Sequence, residues 1–144
     1  MVSLIYANAV VIDTSAAVAI VDENDRMHDI AIESLAEMRQ RNVLCAVDVT
    51  AHESFTRLRY NRDLLHAEMG YAFLRDSNVS VLEFEFPDED RAIGLIRKYN
   101  DKVLSFHDAL CAAVMLRLGL FRVFSFDSDF WSFGFEVSPG QTHR

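Results

Sequence analysis

The run Ala9-Val10-Val11-Ile12 is apolar at every position and stops abruptly at a carboxylate, Asp13. A strand with one wet face alternates, so an unbroken β-branched run bounded by polar residues predicts a strand buried on both faces. Val43–Val47 and Val123–Phe126 repeat the pattern, and Val79–Phe86 is β-rich and partly alternating. Strands of this kind separated by helical segments predict a parallel sheet with helices on both faces. The expected fold class is therefore α/β, a three-layer α/β/α arrangement around a mostly parallel central sheet of four to five strands. All 144 residues are expected to form a single domain.

The intervening segments carry helical spacing. Ser15–Val21 reads as a short helix, and Asp22-Glu23-Asn24-Asp25 is a polar break. Between Met27 and Arg41 the residues Ala31, Leu35 and Met38 recur on one helical face, with Asn42 suited to a C-cap. A helix is expected to start near Thr50, and another to run roughly from Asp63 to Ser77. Pro87 followed by acids opens a helix to about Asn100. Ser105–Leu118 is a strongly apolar helix stopped by Gly119. Phe135-Glu136-Val137 reads as a short fifth strand, and the last seven residues read as a tail.

Composition limits the setting. No apolar run reaches the roughly 18 residues of a membrane span, and the N-terminus lacks signal-peptide features, so a cytoplasmic protein with no membrane partner is expected. Cys45 and Cys111 lie in apolar segments outside any Cys-x-x-Cys pair, which predicts buried thiols in a reducing compartment. A net charge of −8 excludes a non-specific nucleic-acid binder of the usual basic kind.

The acids are not scattered evenly. Asp13 ends the first strand, and Glu53 falls in the first turn expected after the second. Asp108 falls in the first turn of the apolar helix. Asp127 ends the fourth strand, with Asp129 two residues on. Each also fits a helix cap: Thr50-Ala51-His52-Glu53 has capping-box spacing, Ser105-Phe106-His107-Asp108 is the same box with Asp for Glu, and Asp13 and Asp127 suit N-caps. In a parallel sheet, however, all of them project towards one edge. Carboxylates gathered there repel one another and raise one another's pKa, and a divalent cation offsets that repulsion. Magnesium and manganese favour carboxylate and water oxygens, and nothing has the His and Cys spacing of a zinc site. An acid-lined cation site suits phosphoryl chemistry, in which the metal activates water and stabilises the leaving oxygen.

Val-Ile-Asp13-Thr-Ser, Glu53 within a helix, Asp108-Ala-Leu and Phe-Ser-Phe-Asp127-Ser-Asp129-Phe together resemble the PIN-domain family, and within it the VapC-like ribonuclease toxins of toxin–antitoxin pairs. The resemblance spans nearly the whole chain in order. It implies a metal-dependent endoribonuclease in which Asp13, Glu53, Asp108 and Asp127 bind Mg2+ or Mn2+, with Asp129 as an accessory ligand. It also implies that Thr14, Ser15 and Ser125 hydrogen-bond the acids or metal waters. The partners implied are an RNA substrate, a cognate antitoxin whose C-terminal segment covers the active-site groove, and a second copy of the chain in a homodimer.

Other residues keep two readings. His52 and His107 precede proposed ligands but point about 100° away from them on a helix, so packed histidines are the default. Arg57-Leu58-Arg59-Tyr60-Asn61-Arg62 is the one dense basic run, suited to an RNA backbone, a partner contact or a solvated face, and Arg57 is also placed to pair with Glu53. Most of the C-terminal aromatics, Phe121 to Phe135, suit core packing, and some suit a dimer face. With a net charge of −8, RNA binding would depend on the metal and a few arginines. The alternatives are a non-catalytic PIN-like interaction module and another acid-edged α/β phosphohydrolase. A receiver domain would need a lysine at the strand ends, and a dehalogenase-type phosphatase would carry Asp-x-Asp after its first strand rather than its fourth.

Overall fold

The computed structural model describes residues 7–140. Five strands, β1 (Ala9–Ile12), β2 (Val43–Val47), β3 (Val79–Leu82), β4 (Arg122–Ser125) and β5 (Glu136–Pro139), form one sheet. Their order is β3-β2-β1-β4-β5 and every pair is parallel. The chain leaves β1 towards β2 and β3 on one side, then crosses back to lay β4 and β5 on the other. The order therefore reverses at β1 and β4, and crevices that bind ligands open at the carboxyl ends of strands at such a switch point.

Helices α1 (Thr14–Val21), α2 (His28–Arg41), α3 (Asp48–Asn61) and α4 (Leu64–Leu74) lie along the first half of the chain, and α5 (Phe86–Lys98) and α6 (Phe106–Leu118) along the second. None is long and apolar enough to cross a membrane. Alternate strand residues feed two cores. Val10, Ile12, Leu44, Ala46 and Phe124 pack with residues of α1 to α4. Val11, Cys45, Val47 and Val123 pack with Cys111, Ala112, Val114 and Met115 of α6. This is why β1, β2 and β4 are apolar at nearly every position: both faces are covered. Both cysteines are buried free thiols, as expected.

Several element ends differ from expectation for identifiable reasons. Helix α3 begins at Asp48, directly after β2, with no side-chain cap; the Asp48 carboxylate accepts from its neighbour Val49 N at 2.8 Å. The Thr50 hydroxyl makes no cap there. It is fully buried and sits 3.1 Å from His107 Nε2 on α6. Glu53 consequently lies in the second turn of α3, and the expected capping box does not form. Helix α4 ends three residues short of Ser77, at Leu74. Strand β3 stops at Leu82, because the Asp88 carboxylate accepts from Glu85 N at 2.8 Å and pulls the start of α5 forward to Phe86. Strand β4 starts and ends one residue earlier than expected. Of the expected tail, Ser138 and Pro139 belong to β5, Gly140 N donates to Ser125 O at 3.2 Å, and residues 141–144 lie outside the described residues. Gly119 ends α6 with φ 73°, as expected of a left-handed C-cap.

The C-terminal aromatics divide. Phe124, Phe130 and Phe135 are buried, with Phe133 packed edge-on to Phe130 at 6.1 Å, while Phe121 and Trp131 are exposed. The basic run divides as well. Arg57 meets Glu53 at 3.6 Å, Tyr60 is exposed, and Arg62 is tied to Asp22 and Glu23 in the loop after α1.

Two polar clusters hold the helices. Asp88 is buried and accepts from Arg117 of α6 at 3.0 Å. Burial opposes its charge, but the guanidinium outweighs that and holds the carboxyl below its ordinary range. Arg117→Ala leaves a buried carboxylate unpaired and is expected to lower stability by about 2 kcal/mol, read from denaturant melts. His66 bridges Asp63 (2.7 Å) and Glu23 (2.9 Å), and these carboxylates raise its pKa above the ordinary histidine value. Its stabilising contribution is thus complete below about pH 6.5 and fades as pH rises through the raised value. Between pH 6 and 8 the wild-type Tm should fall more than that of His66→Gln; equal slopes in differential scanning would remove the bridge from the stability account.

Candidate active site

Asp13 stands at the carboxyl end of the central strand, and its backbone explains why it is there. Its N–H donates to Phe124 O of β4 at 3.1 Å, which continues the sheet, and its side chain then caps α1. Oδ1 accepts from Ala16 N at 3.0 Å and from Ser15 Oγ at 2.8 Å, and Oδ2 accepts from Ser125 Oγ at 2.6 Å. The cap reading is therefore borne out: one oxygen caps the start of α1, and the whole group is fixed at the switch point.

Ser125 and Ser15 tie β4 into the same cluster. Asp127 N donates to Ser125 Oγ at 2.8 Å, and Phe126 N donates to Ser15 Oγ at 3.0 Å. Asp127 then caps a short 3-10 helix, Ser128–Phe133, by accepting from Asp129 N at 2.9 Å. Asp108 arrives from the first turn of α6, where Ser105 Oγ accepts from its N–H at 3.0 Å, the expected half of a capping box.

Burial and charge act on several of these acids together. Burial is the main reason the Asp13 carboxyl is pushed up to about 6, against the hydrogen bonds from Ser125, Ala16 and Ser15, and the charge of Asp108 adds to it. Asp127 is raised too, first by burial, with the charges of Asp129 and Asp108 adding to it. Asp13, Asp108, Asp127 and Asp129 thus form one interacting group. Glu53 is engaged elsewhere. It pairs with Arg57 and lines a neighbouring groove between α3 and α6 with His52, Phe106 and His107.

Among the described residues, no three His, Cys, Asp or Glu side chains converge tightly enough to enclose a metal ion. The donor set nevertheless fits a hard divalent cation. It consists of carboxylates and hydroxyls, one carboxylate is buried at the expense of its own ionisation, and the buried Thr14 Oγ1 beside it has no hydrogen-bond partner.

His107 has a larger part than its sequence context suggested. Its Nδ1 lies 3.3 Å from Asp108 Oδ1, and its Nε2 lies 3.1 Å from Thr50 Oγ1 and 3.5 Å from Cys111 Sγ. Burial disfavours the charged ring, but the hydrogen bonds to Asp108 and Cys111 outweigh it and raise the His107 pKa. His107 and Cys111 are four apart on α6, a signal visible in the sequence. Thr50, 57 residues from His107, becomes a partner only through packing.

An acid-edged switch point in an all-parallel sheet defines a class of α/β proteins built to hold charge at the strand ends. Residues 10–136 match the PIN domain family, and the chain belongs to it. No curated protein matches the chain by sequence. Among solved structures, VapC20 of Mycobacterium tuberculosis, described as a sarcin-ricin loop cleaving toxin, superposes with a TM-score of 0.81 at 23% identity, over 88% of this chain and 96% of that one. VapBC2 of Rickettsia felis, bound to a DNA fragment from its promoter, matches with a TM-score of 0.69 at 10% identity, over 93% of this chain and 99% of that one. DNA-bound VapBC of Salmonella typhimurium matches with a TM-score of 0.64 at 13% identity, over 91% of this chain and 97% of that one.

A carboxyl raised to about 6 favours folding while it is protonated, and that contribution is lost as pH rises from about 3.8 through 6. At pH 7 and without divalent ions, ionised Asp13 should therefore cost on the order of 1–3 kcal/mol. Asn keeps the helix cap. Asp13→Asn is expected to raise Tm at pH 7 and to lose that advantage near pH 4, measured by thermal melts in EDTA.

Proposed function

We propose that the chain is a divalent-metal-dependent endoribonuclease, the toxin of a toxin–antitoxin pair. The observation that carries this reading is the Asp13 carboxylate, buried at the switch point and coupled to Asp108, which is coupled in turn to Asp127 with its neighbour Asp129. Membership of the PIN domain family and likeness to VapC structures support it.

Asp13, Asp108 and Asp127 would hold Mg2+ or Mn2+, with Asp129 accessory and Glu53 joining from α3 on release from Arg57. Such an ion supplies an activated water and neutralises charge on the phosphate oxygens. The protein's own contribution is position. Ser125 and Ser15 fix the Asp13 oxygens, the Asp129 N–H and the Ser125 hydroxyl fix Asp127, and His107 holds Asp108. The VapC20 relative makes loop RNA the first substrate to try, and the VapBC complexes make a small antitoxin the natural partner. A homodimer would find an apolar contact at Phe121 and Trp131, which stand exposed at the edge of a buried aromatic cluster. The two free thiols suit a cytoplasmic setting.

The test is cleavage of loop-containing RNA, including a sarcin–ricin-type hairpin, in Mg2+, Mn2+ or EDTA. Cleavage should require the metal and fall at least about a hundredfold in Asp13→Asn and Asp108→Asn while both variants stay folded. Manganese at about 100 times its Kd should stabilise the wild type by about 2.7 kcal/mol and leave Asp13→Asn unmoved. No metal effect on Tm and no cleavage would return the protein to the interaction-module reading.

A further inference from the structure

The groove between α3 and α6 lies beside the acids, and of the proposed ligands it is lined only by Glu53, which is held by Arg57. Phe106 and Asp108 share the first turn of α6 two residues apart, so they leave the helix in roughly opposite directions. Asp108 joins the acids and Phe106 lines the groove. His107, between them, lines the groove and also contacts Asp108. A strand that crosses this turn with a phosphate at the acids therefore brings an adjoining base to the groove.

The groove is built for a flat apolar ring. Val49 and Leu110 supply aliphatic lining, and Phe106 is 43% exposed at its mouth. His52 and Thr56 add polar groups at the rim and continue into a second depression lined by Phe55 and Tyr71. Arg75 lies over the Tyr71 ring, 5.3 Å from its centroid, and donates to Asp48 O at 3.0 Å.

Charge decides what kind of contact must hold RNA here. The net charge is −8, and Arg57, beside the groove, is already paired with Glu53. Backbone attraction of the usual basic kind is therefore weak. Stacking on aromatic rings does not need a basic surface and tolerates any base.

We propose that this groove is a nucleobase subsite, with the Phe106 ring as the platform for the base next to the cleaved phosphate. The inference rests on the ribonuclease reading and names where its substrate is gripped. Phe106 is exposed, so its substitution leaves both cores intact.

The experiment uses the full chain carrying Asp13→Asn, which keeps RNA uncut, and single-stranded RNA octamers with one 2-aminopurine at successive positions. Fluorescence should be quenched at one or two adjacent positions. Adding Phe106→Ala should abolish that quenching and weaken Kd about tenfold, while Phe106→Tyr keeps both. In otherwise wild-type protein, Phe106→Ala should raise KM more than it lowers kcat. Equal Kd and quenching with and without the Phe106 ring, or no octamer bound at all, overturns the subsite. So does a groove in which Phe106→Ala spares RNA but loses a protein inhibitor. Failure of the nuclease reading looks different: wild-type protein with Mg2+ or Mn2+ then cuts no RNA, whatever stands at position 106.

Discussion

The hydrogen bond from Ser125 Oγ to Asp13 Oδ2, at 2.6 Å, joins the ends of the two strands between which the sheet order reverses. Much else follows from it. Ser125 also accepts from Asp127 N, so the same hydroxyl sets the exit from β4 and the start of the 3-10 helix. Asp13 in turn ends β1 and starts α1. A side chain constrained by two strands and a helix has little rotamer freedom left, and a site made of such groups is organised before any substrate arrives.

That organisation opposes stability. A carboxylate buried at a strand end and raised to about 6 is ionised at neutral pH against the preference of its surroundings. Strain of this kind persists where the rest of the fold over-determines the geometry. The rest is supplied by two cores on opposite faces of the sheet and by peripheral clamps, Asp88–Arg117 between α5 and α6 and His66 with Asp63 and Glu23 around the start of α4. Those clamps use charged groups in the ordinary way, opposite against opposite. The acid edge places like against like, with the charge of Asp108 adding to the burial that raises Asp13 and Asp127.

The neighbourhood of α6 shows how one helix serves several purposes. Its interior face is almost wholly small and apolar, Ala109 to Met115, and fills the space against β1, β2 and α5. Its first turn is polar and faces the acids. His107 connects that turn to α3 through Thr50, so the position of Asp108 depends on how α3 and α6 pack.

The amino-acid sequence alone determined the sheet. Val-Val-Ile and Val-Phe runs buried on both faces have no stable alternative to a parallel, helix-covered arrangement, and this arrangement carries Asp13 and Asp127 to strand ends and Asp108 to a helix start. Asp13, Asp108, Asp127 and Asp129 were legible for that reason: backbone period and strand direction fix where they point. The place of Glu53 was not, because α3 begins at Asp48 rather than after Thr50, which puts Glu53 in the second turn and within reach of Arg57. The links of Ser125 to Asp13, of Thr50 to His107, and the groove beneath Phe106 join residues far apart in the chain. No local pattern encodes such distances, and only the packing of helices across the sheet decided them.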